Sequence, residues 1–476
     1  MFPSPHVHDV LTNFNEAFNE PTMTRTTAGI AFSCLFTFFA CAWCCIRPNI
    51  PSPYDSKLRI LSAKLNVLFW VLVCPELIAF WTFRQWFVAK RISDEFQGVQ
   101  IFLFHGGFVI SKSPLDRGWT RRHALFLMMG GFLLAKDGLP LQTISVQLFR
   151  HLLQRGAIDF PALTVADIQE RSNLHPILLS LILLQAIWFV LQCISRLVTG
   201  LVITQLEVMT FTLVVMSVII FAFAWQKPLD VRYPVLITPN YNLDYHLGIE
   251  TPPHFETIVD DFRREKKLRR IIKRISLIDD RLQPQAYTVA SFVHRHLPPL
   301  IMWPLLSIYD DFGDLAINIQ SPEIKMANLK VPLFYLPESS FVVYLFALLV
   351  TCLAGMGNGI VHCLFWSRGH FSSEVARIIW RVTSVTAAGF CAASLFITII
   401  TSMFPLFYRL PAPSHFVIDI ILRFFNRASI VFLCLSLLPF VLARITLVFV
   451  SFFCLRSLPQ EALEIIPWTG YIPHLA

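Results

Sequence analysis

Residues 177–225 read ILLSLILLQAIWFVLQCISRLVTGLVITQLEVMTFTLVVMSVIIFAFAW. Two apolar runs, 177–194 and 206–225, flank a short connection bounded by Arg196 and Glu207. A helix rising 1.5 Å per residue needs about 20 apolar residues to cross a hydrocarbon core about 30 Å thick, and each run is close to that length. The short connection makes the pair an antiparallel helical hairpin.

Five further apolar runs of similar length occur at 27–46, 65–83, 341–366, 382–407 and 428–453. The fold class this predicts is all-α: a polytopic transmembrane bundle of about seven spans with one large polar insertion. Arg47, Pro48 and Pro51 end the first run, and Pro75 and Glu76 fall near the middle of the second. Two shorter apolar stretches, 99–110 and 124–135, are too short to span alone. Each carries a Gly-Gly pair, Gly106–Gly107 and Gly130–Gly131, which weakens a helix. Both read as buried or re-entrant segments, and the count becomes eight if one of them crosses. The predicted organisation is a polar segment 1–26, a membrane region 27–225, a polar region 226–338, a second membrane region 339–456 and a tail 457–476. Thr164 and Asp167 stand at capping-box spacing, which predicts a short polar helix before the 177–194 run.

The composition agrees. Of 476 residues 55% are hydrophobic, 44 are phenylalanine and only 15% are charged, against about 25% charged in ordinary soluble domains. The net charge of +8 in so apolar a chain points to anionic lipid headgroups rather than nucleic acid. All 11 cysteines fall in or beside apolar runs, so they read as buried thiols rather than a disulfide framework or a zinc site. Cys44 and Cys45 beside Arg47 have a second reading, as acylated thiols at a membrane interface. Residues 1–26 lack the pattern of a signal peptide. The expected location is a membrane of the secretory pathway or the plasma membrane.

Sidedness is in conflict. The loop with Arg47, Lys57, Arg59 and Lys64 should face the cytoplasm, and so should the basic run 263–274. Seven simple spans put them on opposite faces. The short loop carries more weight in the rule, which favours an outside N-terminus.

Residues 27–235 resemble a family of fungal multi-spanning membrane proteins with no assigned function. The residues that carry the resemblance are Trp119-Thr120, His123 and Met129-Gly130-Gly131-Phe132, then Asp167-Ile168 and Ser172. Gln185, Trp188-Phe189, Gln192, Arg196, Gly200-Leu201, Thr204 and Leu206-Glu207 follow. Last comes Trp225-x-Lys227-Pro228-Leu229-Asp230-Val231 with Pro234. The chain departs from the pattern at Ala124-Leu125-Phe126, where the family has Gly-Phe-Phe, and at Ala224, where it has a second tryptophan. The resemblance implies a membrane fold and no activity.

Several polar residues lie within or beside apolar runs. Gln185, Trp188, Gln192 and Arg196 share one helical face, and Glu207 follows across the turn. An Arg196–Glu207 pair closing the hairpin is one reading, and a polar pathway lining is the other. Gly355 and Gly359 form a GxxxG step that allows close helix packing, with Asn358 and His362 beside it and small residues in the next run to answer it. Glu76 and Arg444 lie well inside different runs and have opposite charge, so each is the other's simplest partner. A basic amphipathic helix is expected at 261–282. Leu268, Ile271, Ile272, Ile275 and Ile278 recur on one side of it, and Arg263, Arg264, Lys266, Lys267, Arg269, Arg270, Lys273 and Arg274 crowd the rest, the pattern of an interfacial helix on anionic lipid. Asp310, Asp311 and Asp314 have the DDxxD spacing that can bridge a hard cation, but they sit in a proline-rich loop without a second acidic motif, and a solvated acidic turn is the better reading.

No serine-hydrolase elbow, phosphate loop, zinc-protease motif or dinucleotide fingerprint occurs, and no catalytic residue, cofactor or metal site is assigned. A channel or transporter using the intramembrane polar residues is the leading expectation. A non-catalytic membrane organiser is the alternative and a membrane-embedded enzyme the third. Oligomeric state is not legible.

Overall fold

The computed structural model describes residues 24–105, 118–136, 138–154, 156–172, 176–240, 324, 328–337, 339–366, 371–407 and 415–465. The basic segment 261–282, Asp310, Asp311 and Asp314 lie outside the described residues.

The chain is mostly helical. Helices α1 (Thr27–Cys45), α2 (Lys57–Val73) and α3 (Pro75–His105) come first. Next are α4 (Arg121–Met128), strands β1 (Phe132–Lys136) and β2 (Leu139–Thr143), α5 (Val146–Gln154) and α6 (Val165–Glu170). Helices α7 (Pro176–Val198) and α8 (Gln205–Ala224) form the hairpin, followed by β3 (Val235–Ile237). Last are α9 (Phe341–Leu364), α10 (Glu374–Phe407), α11 (His415–Cys454) and α12 (Gln460–Leu463). Six of these are long and apolar enough to cross a membrane: α1, α7, α8, α9, the 374–397 part of α10 and the 435–457 region around α11. Their starts are locally encoded. Thr26 accepts from the Gly29 amide, Ser340 from the Val343 amide, and Thr204 with Glu207 makes a full capping box on α8.

The run at 65–83 is not one straight helix. It breaks at Cys74, and α2 and α3 meet at a bend of 113°. Pro75 supplies the cause: it has no N–H to bond back into the preceding turn, and it pushes the residue before it out of helical geometry. Cys74 has φ −141° and ψ 70° accordingly.

Helix α8 is the axle of the bundle. It packs against α1, α3, α7, α9 and α11, and its middle is more buried than that of any other candidate span. Helix α7 touches α1 and α8 and leaves Ile177, Leu181, Leu184 and Leu191 exposed.

The stretch 124–135 is buried throughout, as one of the two readings of it had it. It is the end of α4, a tight turn and most of β1. That strand pairs antiparallel with β2 and parallel with β3, in the order β2-β1-β3. Its backbone polar groups are therefore met by sheet partners. Gly130 takes a positive φ of 81° in the turn, and a Cβ on Gly131 would lie 2.3 Å from the Phe126 ring. Only glycine fits both places. Around the sheet Trp119, Phe126, Phe132, Phe149 and Ile168 close a core that Ile50 and Phe96 also enter. The 99–110 stretch begins inside α3, and its residues beyond His105 lie outside the described ones.

Two separate sets of contacts mark the two ends of the bundle. At the tail end the first and last described segments meet: Thr24 bridges Glu464, and the Arg25 amide bonds the Leu463 carbonyl. At the sheet end the α1–α2 loop is tied down: the Ile50 amide bonds the Met129 carbonyl, and Asn49 donates to the carbonyls of Pro332 and Leu333. Lys64–Asp230 at 2.6 Å and Lys330–Asp55 at 2.8 Å join loops at the same end.

Candidate functional site at the helix break

The break between α2 and α3 places Glu76 in the first turn of α3. A helix N-terminus carries partial positive charge, which suits a carboxylate. The C-terminus of α2 offers carbonyls that the break has freed, which suits a cation. Arg444, on α11 and five residues beyond Pro439, meets both. Its Nη2 lies 3.1 Å from Glu76 Oε1, and its Nε donates to the Val73 carbonyl at 3.2 Å. The pairing that their opposite charges suggested is thus present. Asn358 on α9 adds a third arm, donating from Nδ2 to the same Glu76 oxygen at 2.8 Å.

The glycines of α9 make this approach possible. A Cβ on Gly355 would stand 2.8 Å from Glu76 Cγ and 2.6 Å from Cys391 Sγ, and one on Gly359 only 2.5 Å from Ala388 Cβ. The close-packing reading of the GxxxG step is the one the structure follows. Glycine here admits both the neighbouring helix and the carboxylate.

Glu76, Asn358 and Arg444 are 7%, 6% and 3% exposed, and His362 is fully buried. One turn beyond Asn358, His362 sets Nε2 3.4 Å from Thr212 Oγ1, and its carbonyl accepts from the Trp380 indole. The cluster is only half satisfied. Glu76 Oε2, Asn358 Oδ1 and His362 Nδ1 have no hydrogen-bond partner among the described residues. Such groups are uncommon in a folded core and costly there.

Polar groups continue from the break towards the sheet end. Trp81 Nε1 and Ser217 Oγ are buried without partners. Beyond them lies Lys227, 2% exposed, in the turn after α8. Its ammonium faces Asn49 Oδ1 at 3.3 Å and Gln85 Oε1 at 3.2 Å, and stands 4.3 Å over the Trp81 ring. Gln85 in turn donates to the Tyr335 carbonyl at 3.1 Å. Burial, with Arg47 close by, pushes the Lys227 amine well below the ordinary lysine range. Arg47 donates to the Lys227 carbonyl. Sequence reasoning noted Lys227 as part of a motif and did not foresee its burial. The prolines and charges after Trp225 read as the start of a solvated loop.

The tail end holds the other acid. Glu207 does not pair with Arg196, as the hairpin reading had it. Its partner is Arg25, with Thr204 donating from both amide and hydroxyl. Arg196 instead gives its guanidinium to the carbonyls of Val202, Glu461, Ala462 and Glu464. Arg25 also bonds the Ala462 carbonyl. Two arginines therefore clasp the α12 tail against the hairpin. Gln185 donates to Thr37 on α1 at 2.9 Å, and with Trp188 it lines a shallow apolar groove at the α1–α7 seam. Gln192 is half-buried on α7. Gln185 and Arg196 thus serve helix packing and the tail clasp. Cys45 is buried, with its Sγ against the Ser217 carbonyl, which removes it as an acylation site.

The remaining motif residues hold the sheet-end unit together. His123 accepts the Thr120 amide at Nδ1 and reaches the Leu163 carbonyl with Nε2. Thr164 and Asp167 form the expected capping box. Ser172 Oγ and the backbone of Leu229 bond each other. Among the described residues no group of three His, Cys, Asp or Glu side chains could hold a metal ion.

Set against models of known protein families, residues 9–249 match the one described as "Family of unknown function (DUF8562)". Neither a curated protein nor a solved structure matches the chain.

Proposed function

The chain belongs to this family of unknown function, which lends it no activity, and we propose from the geometry that it is a multi-pass membrane protein of the channel or transporter class. Six helices cross the bilayer in this reading, and α2 with α3 forms a re-entrant V whose tip carries Glu76. Two observations support the V. The 113° bend turns α3 back. The loop leading into α2 and the far part of α3 also both join the sheet end, through the Ile50–Met129 bond and through Phe96 in the aromatic core.

The six-span reading removes the conflict of sidedness. Helix α1 runs from the tail end to the sheet end, the V returns to the sheet end, and α7–α8 goes out and back. The basic α1–α2 loop and the basic run 263–274 then share one face, the cytoplasmic one by the positive-inside rule. Eight lysines and arginines between Arg263 and Arg274 give that face of the sequence an affinity for anionic headgroups. Thr24 and Glu464 meet on the far face.

The single observation that carries the transport reading is the broken helix itself, with an acid at its tip, deep among apolar helices and incompletely hydrogen-bonded. Irregular backbone at membrane depth is tolerated where protein buries it or where it lines a polar path, and half-helix ends there commonly form solute and ion sites. A charge at a helix centre costs about 2.5–3.5 kcal/mol on insertion scales, which a purely structural helix contact has no need to incur.

The sealing of the Glu76–Arg444 pair favours a second reading, a non-catalytic membrane organiser whose ion pair is a structural clasp. Purified protein reconstituted into vesicles separates the two. Flux of proton, sodium, potassium or chloride above that of empty vesicles, lost in Glu76→Gln, supports transport. No flux from correctly folded protein under any of these gradients supports the organiser.

A further inference from the structure

Resting on the transport reading, we propose that the species moved is the proton and that Glu76 is its carrier, fed from the tail end through His362. Three observations lead there. The stations are buried: Glu76, Asn358, His362 and Lys227 are 7%, 6%, 0% and 2% exposed. A proton can hop between such groups through hydrogen bonds, whereas a hydrated ion or a solute needs a lumen. The unpartnered atoms are also of the right kind. Glu76 Oε2 and His362 Nδ1 can each accept a proton, and Asn358 Oδ1 can accept a hydrogen bond. Finally, Arg444 already sits on the other carboxylate oxygen at 3.1 Å. Its fixed positive charge opposes a second metal cation at the site but leaves Oε2 open to a proton.

The order along the bundle gives the route. His362 lies near the tail end of α9, against Thr212 and Trp380. Asn358 is one helical turn deeper, about 6 Å, and holds Glu76 in place. A proton that an imidazolium at His362 gives up and that arrives at Glu76 forms an O–H bond at Oε2, the atom without a partner among the described residues. The imidazole is then neutral and the carboxylate a neutral acid, with no other bond made or broken. Arg444 loses its ionic partner and keeps the Val73 carbonyl. The proton then leaves Oε2 for the sheet end, where Ser217 Oγ and the Lys227–Gln85–Asn49 group lie. The charged or titratable groups facing Glu76 from the packed elements are Cys74 at the break, Cys352 on α9, Cys391 on α10 and Arg444 on α11. His362, also on α9, follows Asn358 by one helical turn.

The test uses the full chain in vesicles loaded with a pH-sensitive dye, under an imposed pH gradient with a potassium diffusion potential. Wild-type protein is expected to collapse the gradient faster than empty vesicles. Glu76→Gln, which keeps the shape and the Asn358 and Arg444 contacts but cannot ionise, is expected to fall to the empty-vesicle rate. A hydrophobic carbodiimide, which attacks a protonated carboxyl in apolar surroundings, serves if that variant does not fold. It should block wild-type flux and leave its mass on the peptide containing Glu76. Sodium, potassium or chloride movement without proton movement overturns the proton assignment and leaves the transport reading standing. Proton flux that persists in folded Glu76→Gln, or persists with Glu76 modified, overturns Glu76 as the carrier. No flux of any ion overturns both readings.

Discussion

Removing either member of the Glu76–Arg444 pair should cost far more than half of removing both. In Glu76→Ala, Arg444 keeps only the Val73 carbonyl at 3.2 Å, and the Asn358 amide loses its 2.8 Å acceptor. In Arg444→Ala, the carboxylate keeps Asn358 alone, at a site 7% exposed. Breaking a buried ion pair from one side costs about 3–5 kcal/mol, because it strands the other charge. The double variant strands neither, so it should lose about as much as one single variant. That implies a coupling about as large as one single variant's cost, about 3–5 kcal/mol, in the double-mutant cycle. The assay is denaturant unfolding of the four proteins in one detergent, followed by tryptophan fluorescence; the nearby Trp70, Trp81 and Trp380 are buried reporters. Effects that add to within about 0.5 kcal/mol would mean the groups are independent, and the reasoning from their contact would be wrong.

Further outcomes follow from particular contacts. Gly359→Ala should destabilise the bundle by about 1–3 kcal/mol, since its Cβ would meet the Ala388 backbone at 2.9 Å, whereas Gly357→Ala meets nothing within 4 Å. The latter should be neutral or should raise the melting temperature slightly, through helix propensity. Arg25→Ala should cost about 1–3 kcal/mol and loosen residues 460–464, visible as faster proteolysis of the tail, because it removes both the Glu207 pair and the Ala462 bond. Lys227 binds fewer protons folded than unfolded between its lowered value and the ordinary range near about 10.4. Stability should therefore rise with pH through that window, and Lys227→Met, read by melting temperature against pH, should flatten the slope.

Much of this architecture is written locally. The apolar runs at 27–46, 177–194, 206–225 and 341–366 each fall on a helix, because length and hydropathy need no tertiary context. The Glu76–Arg444 contact was legible for a related reason: two opposite charges in apolar runs have few other solutions. What escaped the sequence was non-local. The apolar stretch 124–135 resembles a membrane segment until β3, a hundred residues later, supplies the strand that β1 pairs with. Arg196 stands so near Glu207 in sequence that a pair suggested itself, yet its acceptors are the carbonyls of Val202 and of the distant Glu461, Ala462 and Glu464. Pro75 was visible, but hydropathy averages across a break, and the bend emerged only when α2 and α3 were placed. Lys227 gave no sign of its burial, because Asn49, Gln85 and Trp81 come from two distant segments.

The re-entrant V is the element on which the membrane reading turns, and impermeant maleimide labelling of single introduced cysteines tests it most directly. The native cysteines among the described residues are buried or half-buried and set a low background. Tyr54→Cys lies before the V and Gln169→Cys after it, both at exposed positions of the sheet end, while Thr199→Cys and Gln460→Cys are exposed at the tail end. The account predicts that positions 54 and 169 react from one face of the membrane and positions 199 and 460 from the other. Labelling of 54 and 169 from opposite faces would make α2–α3 a true crossing and contradict it.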